Sequence, residues 1–426
     1  MERPRLLSKI FRRDFAKLLL GQGVSLFGSL ISRLALPFLV IYTLSASPTQ
    51  MAWVRICEIV PGILVGLLAG VVVDRTARRS LMLFTDVTRA ILIGSIPVLF
   101  LFHALNLVVV MAVASLMSMA SMLFDSAYDA YLPTLVPVDE LVDANAKLSV
   151  IASVSEVTGF GMAGILFNLL GGALTFSFDA VSFVVSAVSL WAIRHREPSA
   201  AITSANSPPT LHALRQGLAT LFTNRLLFRA LLMDTTNSVY FGLSGVAYML
   251  FVSRTLHLDP IVQGILYAVG GIGSLAIASV TNAVVERLGN MQTLVVGAVI
   301  ATVGTLLLPL ATGPIWILVI FVLGQQIIGD SGDTLLLIGL DSVRQAHTAI
   351  DVLGRVRSAW LVVTAIGTVI GTIAGGQLAS VIGLRDTLFA GVGIRVVVIL
   401  ITVASRKLIS LKNSGISQEA THTPGN

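Results

Sequence analysis

Charged residues are scarce in this sequence. Only 12% of its 426 residues are Asp, Glu, Lys or Arg, and 55% are hydrophobic, whereas an ordinary soluble domain carries about 25% charged residues. So few charges cannot cover the surface of a soluble protein of this length. Apolar stretches of roughly 20 residues, each long enough to cross about 30 Å of hydrocarbon, recur along the chain. The composition therefore predicts a polytopic helical membrane protein.

Other absences narrow the function. The single cysteine, Cys57, excludes a disulfide framework, and no P-loop lysine motif is present, which argues against ATP hydrolysis by this chain. The six histidines lack metal-binding spacing, and no Ser-His-acid arrangement is discernible. We therefore predict that the protein is not an enzyme and needs no cofactor or metal. The first apolar run is too long for a cleavable signal. The net charge of +6 comes from arginines between apolar runs, so we expect no nucleic-acid partner.

The apolar runs divide into twelve predicted transmembrane helices. They lie at about residues 14–44, 50–73, 80–102, 107–128, 146–169, 172–193, 227–253, 261–285, 291–311, 315–338, 356–380 and 387–404. The fold class we expect is all-α, with two pseudo-symmetric six-helix halves.

The longest polar stretch separates the sixth and seventh predicted helices. It begins with Ser, Pro, Ala and Asn, which is typical of a linker, and continues as "TLHALRQGLATLF", whose leucines recur at helical spacing and favour a helix at the membrane interface. The expected organisation has four parts. These are an N-terminal half (1–193), a cytoplasmic linker with an amphipathic helix (194–226), a C-terminal half (227–405) and a disordered cytoplasmic tail (406–426).

The distribution of Lys and Arg predicts the orientation. With the N-terminus inside, most of the 28 basic residues lie in cytoplasmic segments, and only Arg254 and Arg385 lie in external loops. Because cytoplasmic loops carry the excess of Lys and Arg, we predict a multi-pass protein of the plasma membrane with both termini in the cytoplasm.

The two halves repeat short patterns in the same order. "LLLGQGVSLFG" resembles "LLMDTTNSVYFG", "MLFDSAYDAYL" resembles "IIGDSGDTLLL", and "VTGFGMAGILFNLLGG" resembles "IGTVIGTIAGGQLASVIG". Internal repeats of this kind are typical of secondary transporters, which bind substrate near the membrane midplane.

The stretch "AGVVVDRTARRSLML" places Asp74, Arg75, Arg78 and Arg79 between the second and third predicted helices. The positive-inside rule would explain the arginines. It would not explain Asp74, because acidic residues contribute little to the orientation of a membrane protein. A carboxylate beside several guanidinium groups can form charge-assisted hydrogen bonds between helix ends. We therefore predict a cytoplasmic gate here. Further along, Asp86 and Arg89 are spaced for one helix face and are expected to support it.

The same stretch resembles the "G-x-x-x-D-R-x-G-R-R" signature of the major facilitator superfamily, with Ala77 in place of the later glycine. "TDVTRAILI", "YLPTLVPVDELVDANAKLSV", "FSFDAVSFVVSA" and "DVLGRVRSAW" resemble the drug-efflux branch that includes macrolide and siderophore exporters. The resemblance covers nearly the whole chain. It implies a twelve-helix transporter.

Ionisable residues inside the predicted helices are functional candidates, because each costs about 2.5–3.5 kcal/mol at the bilayer centre on insertion scales. The candidates for proton coupling or for the substrate cavity are Arg33, Glu58, Glu156, Asp179, Asp234, Asp330 and Asp333. We expect two or three of the acids to exchange protons, since burial favours the neutral form of a carboxyl group and a nearby cation favours the charged form. Depth favours Glu156 and Asp234, while Asp179 has an equally good structural explanation.

Arg33 and Glu58 lie at matching depth, so we expect them to form an ion pair or to share a cavity. Arg55 is nearer the surface and could extend its charge to the interface. Asp125, Asp129 and Asp341 could cap helix ends. Several aromatic residues could contact substrate, although such residues more often face lipid or a neighbouring helix. They are Phe27, Tyr42, Phe124, Tyr128, Phe160, Tyr240 and Phe241.

Together these features predict a monomeric exporter of amphipathic small molecules, driven by inward proton flow through alternating access. Its partners would be the small-molecule substrate, protons and the lipid bilayer. Three alternatives remain open within transport: a siderophore, a lysophospholipid or an imported nutrient as substrate. A non-transporting receptor on the same fold remains open as well. Such a receptor should tolerate neutral substitutions of its membrane-embedded acids.

Overall fold

A computed structural model of the chain describes residues 3–195, 210–350 and 352–419. Within these residues the chain is helical and contains no strand. Ten of its helices are long and apolar enough to cross a membrane, and Phe176–Trp191 is a shorter apolar helix. The all-α polytopic class predicted from composition is confirmed.

Fourteen α-helices account for the described chain. They are α1 (Arg3–Phe38), α2 (Pro48–Arg75), α3 (Arg78–Leu101), α4 (Leu107–Leu135), α5 (Leu141–Leu170), α6 (Phe176–Trp191), α7 (Thr210–Thr223), α8 (Arg225–Leu250), α9 (Pro260–Leu288), α10 (Asn290–Leu310), α11 (Ile315–Gly324), α12 (Asp330–Ala346), α13 (Leu353–Val381) and α14 (Leu384–Glu419). A π-helical turn joins α11 to α12 into one span, Ile315–Ala346. With α7 set apart, the described residues therefore form twelve helical segments, ten of which are long and apolar enough to cross a membrane, which is consistent with the twelve predicted spans.

Local sequence explains where several helices begin. Ser47 caps α2 by accepting a hydrogen bond from the Gln50 N–H (3.2 Å), and the Gln50 side chain accepts one from the Ser47 N–H (2.8 Å). Asn106 caps α4 in the same way at the Val109 N–H (3.0 Å). Such caps satisfy backbone donors that have no partner within the helix.

The ends of α1 and α8 reveal a repeat that the sequence reading missed. Both helices continue into a five-residue π-helical turn, Leu39–Thr43 and Phe251–Thr255. Each turn ends at a threonine followed by a leucine, and a proline four residues after that leucine begins the next helix. The residues after the leucines, Ser45 and His257, both have a positive φ, 51° and 53°. The connections that follow α1 and α8 therefore have the same backbone conformation.

The chain forms two compact units. The first comprises Met1–Thr210 and Tyr248–Gly271, and the second comprises Leu211–Ala247 and Ile272–Asn426. In the first unit α3 packs against α4 and α6, and in the second α10 packs against α12 and α14. Within the first half, α3, α4 and α6 belong to the third, fourth and sixth spans. Within the second half, α10, α12 and α14 occupy the same places, so both units show the same packing of these spans.

The segment between the two halves and the C-terminal tail can each be compared with the sequence prediction. The predicted amphipathic helix is α7, and its Leu221 is buried in a core with Leu227 and Trp360. The tail predicted to be disordered from residue 406 is helical through Glu419. The chain between Leu384 and that residue contains no proline that would interrupt a helix. The linker residues 196–209 and the last residues, 420–426, lie outside the described ranges.

Candidate functional site

A cavity of about 560 Å³ lies inside the first unit, between α1, α2, α3, α4 and α6. This volume is within the range of pockets that hold drug-sized molecules. Its wall is mostly apolar, with Ile, Val, Met and Phe among its residues, together with four serines and four ionisable residues. The ionisable residues are Arg33, Glu58, Asp125 and Asp179. The cavity therefore combines an apolar wall with a few charged groups.

Arg33 and Glu58 share this cavity but do not pair with each other. Glu58 accepts from Arg55 Nη1 at 2.8 Å, three residues earlier on the same face of α2. Arg55, expected to extend toward the surface, is thus the partner of Glu58. The Arg33 side chain is exposed on the cavity wall, with no ion pair or hydrogen bond among the described residues. The cavity thus contains one unpaired guanidinium.

Asp179 is the deepest acid on the cavity wall, with 1% of its surface exposed. The carboxylate faces α1 at Gly28, where an added Cβ would lie 2.8 Å from Oδ1. Ser182 Oγ donates to Oδ1 at 3.1 Å, while Oδ2 has no hydrogen-bond partner among the described residues. The nearby Ser32 hydroxyl of α1 is also buried without one. A buried polar atom without a partner is costly, and the Asp179 carboxylate has room for a further hydrogen bond at the cavity wall.

Asp86 and Arg89 form a buried ion pair behind the cavity. The Arg89 guanidinium lies 4.0 Å from the Phe124 ring centre and 4.4 Å from that of Phe183. These residues were expected to support the gate, and that role stays a prediction. Asp86 lies eight residues into α3, about 12 Å along the axis at 1.5 Å per residue, which places the pair beside the cavity.

The predicted gate residues separate into two pairs. Arg78 donates to the Ala130 carbonyl in α4 at 3.1 Å. Arg79 donates to the Leu190 and Trp191 carbonyls at 2.8 and 2.7 Å. A cation at the last carbonyls of a helix is stabilised by the helix dipole, so Arg79 ties the start of α3 to the end of α6.

Asp74 and Arg75 lie at the other end of the same turn and are exposed. The Asp74 carboxylate has no hydrogen bond among the described residues. The predicted carboxylate–guanidinium latch is therefore absent from the described structure. The helix ends are connected instead through arginine and backbone carbonyls.

Sequence reasoning missed a second connection at the end of α6. Asp14 in α1 is 2% exposed and accepts from the backbone N–H groups of Arg194 and His195 at 3.0 and 2.9 Å. Lys17 donates to Asp14 and to the Ala192 carbonyl, both at 2.7 Å. Asp14 lies at the start of the first apolar run. Because it is about 180 residues from Arg194 along the chain, no local sequence pattern could have indicated this contact.

Glu156 lies apart from the cavity, on the face of α5 that meets α9. Its Cγ lies 3.7 Å from the position of a Cβ added to Gly271. No ion pair or hydrogen bond to Glu156 occurs among the described residues. One turn away on α5 is Phe160, whose ring centre lies 5.7 Å from that of Tyr267 in α9. Glu156 therefore lies where α5 packs against α9.

In the second unit, Asp234 is hydrogen-bonded to an indole. Trp360 Nε1 donates to its Oδ2 at 2.6 Å, and Arg344 lies 5.4 Å from the Trp360 ring centre. Arg344 pairs with Asp341 at 2.7 Å. Asp234 was favoured on depth alone, and the structure gives it a fixed neutral donor.

Asp333 belongs to a buried network that crosses three helices. Arg395 of α14 is 0% exposed and donates to Asp333 Oδ2 at 2.6 Å and to Asn237 Oδ1 at 2.7 Å. Its guanidinium lies 3.8 Å from the Tyr240 ring centre. Asp330, also a candidate, is half-buried in the first turn of α12. Sequence reasoning did not single out Arg395, although an arginine inside the last predicted helix was an available signal.

No group of three or more His, Cys, Asp or Glu residues is arranged to hold a metal ion in the part of the chain that the structure describes. Membrane-length apolar helices, buried acids and a drug-sized cavity with a mostly apolar wall are features of integral membrane transporters. The comparisons with known proteins agree. A family model described as transmembrane secretion effector matches residues 7–424, and the chain belongs to this family.

Individual relatives extend this assignment. The chain is 26% identical over 425 residues to YfiS, an uncharacterized MFS-type transporter of Bacillus subtilis, covering 96% of each chain. It is 26% identical over 216 residues to macrolide efflux protein A of Streptococcus pyogenes, covering 50% of this chain and 53% of that protein. The fold matches a crystal structure of a variant of the nucleoside transporter NupG with TM-score 0.78 and 15% identity, covering 92% of this chain and 99% of that one. The predicted major facilitator fold and the resemblance to efflux proteins are confirmed.

Proposed function

We propose that the protein exports amphipathic small molecules across the plasma membrane by alternating access, in exchange for protons that move inward. The observation that carries this proposal is the cavity of about 560 Å³ in the first unit, which presents a nearly fully buried Asp179 with an unpartnered carboxylate oxygen. An apolar wall suits the body of an amphipath, and a desolvated acid suits reversible protonation.

The similarity to macrolide efflux protein A supports export of a drug-like substrate. Inward movement of one proton would supply about 2.3 kcal/mol per 100 mV of membrane potential. Asp179 is the acid we assign to proton exchange, because Glu58 is paired with Arg55 and Asp234 is bound by Trp360.

The test uses purified protein in liposomes that contain a pH-sensitive dye. A macrolide is added to energised vesicles and substrate-dependent proton flux is recorded. We expect flux with the wild type, and a loss of at least tenfold in Asp179→Asn because the amide cannot exchange a proton. Asp143→Asn is the matched control, since Asp143 forms an exposed pair with Lys147 on α5 away from this cavity. Absence of flux with wild type across a panel of amphipathic drugs would refute the proposal.

A second candidate is transport of an amphipath with an anionic group, such as a lysophospholipid. The unpaired Arg33 on the cavity wall favours it, because a guanidinium binds carboxylate or phosphate through paired hydrogen bonds. In the same vesicles, transport of a lysophospholipid that is lost in Arg33→Gln, with macrolide flux absent, would favour this candidate.

A further inference from the structure

Two neighbouring glutamines, Gln325 and Gln326, lie inside the span Ile315–Ala346 of the second unit. Both are buried, with 8% and 3% of their surface exposed. Gln325 follows the first residue of the span by ten residues, which is about 15 Å along the helix axis at 1.5 Å per residue. Because the hydrocarbon core is about 30 Å thick, the two amides lie near its middle, at the depth where secondary transporters bind substrate.

A π-helical turn carries these amides. It covers Gln325–Gly329, where α11 passes into α12. Such turns are rare inside α-helices and occur frequently at functional sites. The corresponding span of the first half, α4, is one uninterrupted α-helix over Leu107–Leu135. This turn is therefore not part of the packing that the two halves repeat.

Each glutamine has a polar atom that finds no hydrogen-bond partner among the described residues. These atoms are Gln325 Oε1 and Gln326 Nε2. Nδ2 of the fully buried Asn237, one turn before Tyr240 on α8, is a third such atom in this unit. A polar group buried without a partner costs free energy, and the bilayer core has no water to satisfy it. The second unit therefore holds one acceptor and two donors that are available to a ligand.

Contacts with α10 place the Gln325 amide near a buried pair of hydroxyl groups. Its Nε2 lies 3.3 Å from the position of a Cβ added to Gly329, and that position is 3.7 Å from the carbonyl carbon of Gly304 in α10. The next residue, Thr305, has its Oγ1 atom 3.1 Å from the hydroxyl oxygen of Tyr240 in α8. Polar groups of α8, α10 and the π-helical turn therefore lie close together in an otherwise apolar helical body.

We propose that Gln325 and Gln326 bind an uncharged, hydroxyl-rich group of the substrate, such as the sugar of a glycoside. A hydroxyl group both donates and accepts hydrogen bonds, so neighbouring hydroxyls can pair with the Gln325 oxygen and the Gln326 nitrogen at once. The amides are neutral and would leave an ionic group without a counter-charge. The inference rests on the proposed export function and defines a substrate class for it, amphipaths that carry a sugar or a similar neutral polar group.

The experiment measures binding at equilibrium, so it needs neither a gradient nor transport. Full-length protein in lipid nanodiscs is dialysed against methylumbelliferyl β-glucoside or against the methyl ether of methylumbelliferone. Both compounds are uncharged and fluorescent and share one coumarin body, but only the first carries a sugar. We expect the wild type to bind the glucoside at least about tenfold more tightly than the ether, because the sugar makes hydrogen bonds that the ether cannot make.

Two variants remove the amides and keep side chains of similar size. Gln325→Leu and Gln326→Leu should each weaken glucoside binding about three- to tenfold. Each should change ether binding less than twofold, which also shows that the variant is folded. Because an amide without a partner destabilises the empty protein, neither variant should have a lower Tm than the wild type.

Gln345 supplies the matched control, because it is an exposed glutamine near the end of the same span. Gln345→Leu should leave both affinities unchanged. The inference is overturned if the wild type binds the two compounds equally, if the Gln325 and Gln326 variants keep the wild-type preference, or if those variants have a lowered Tm. Macrolide-dependent proton flux in liposomes tests export separately, so loss of one result does not imply loss of the other.

Discussion

Two arginines inside the helical body are each held by an acid and by aromatic rings. Arg89 pairs with Asp86 beside Phe124 and Phe183, and Arg395 pairs with Asp333 beside Tyr240. Their exposed fractions are 5% and 0%. A desolvated cation needs such compensation because the ring faces and the carboxylate replace lost hydration. Through these contacts Arg89 joins α3 to α4 and α6, and Arg395 joins α14 to α8 and α12.

Breaking the Arg395 pair should be strongly destabilising. Asp333→Asn leaves a fully buried guanidinium without a counter-charge, and removal of one partner of a buried pair costs about 3–5 kcal/mol. Thermal unfolding in detergent should show a large decrease in Tm. The control is Asp341→Asn in the same helix, whose carboxylate is 58% exposed in its pair with Arg344, and which should cost about 0–1 kcal/mol. Equal decreases in the two variants would contradict the structural role of the buried pair.

At the scale of helices, glycines set the distance between α8 and α13. An added Cβ at Gly371 would lie 2.0 Å from the Val239 carbonyl oxygen, and one at Gly242 would lie 2.1 Å from that of Thr368. The obstructing atoms are backbone, which cannot turn aside as a flexible side chain can. The glycines that recur every four residues along α13 thus allow the two backbones to touch.

Gly371→Ala should therefore destabilise the second unit by about 1–3 kcal/mol, the usual cost of overpacking a close interface. Gly393→Ala in α14 is the matched control, because nothing lies within 4 Å of its added Cβ. That change should be neutral or stabilising by up to about 1 kcal/mol, since alanine favours a helix over glycine. Equilibrium unfolding of both variants in detergent provides the comparison, and an unchanged Gly371→Ala protein would rule out the close contact.

At the scale of the whole molecule, the two units repeat one arrangement of helices, and the corners after α1 and α8 share one backbone conformation. The orientation of this body in the membrane follows from charge. Basic residues concentrate in alternate connections, which predicts that those connections face the cytoplasm.

Cysteine labelling tests the orientation. The single Cys57 is replaced by serine to give a background without cysteine. Ala104→Cys, exposed in the connection between α3 and α4, should then react with an impermeant maleimide added to intact cells. Thr76→Cys, exposed between α2 and α3, should react only after the cells are opened. The reverse pattern would show that the N-terminus is outside.

Hydropathy and the helical spacing of leucines were enough to predict the long helices, the amphipathic helix α7 and the fold class, because each depends on nearby residues along the chain. They were also enough to find candidate acids. The partners of those acids could not be predicted in this way. Arg55, and not Arg33, pairs with Glu58. Trp360 donates a hydrogen bond to Asp234, and Arg395 pairs with Asp333.

The sequence by itself therefore determined which segments are helices buried in lipid and which polar residues they carry into it. Only the tertiary structure decided which of those residues have partners. Among the described residues, one carboxylate oxygen of Asp179 has no hydrogen-bond partner at the cavity, and Glu156 lies against Gly271 of α9. The reason is that hydrophobic length is a local property, whereas a partner depends on which faces of distant helices meet and on where each side chain points.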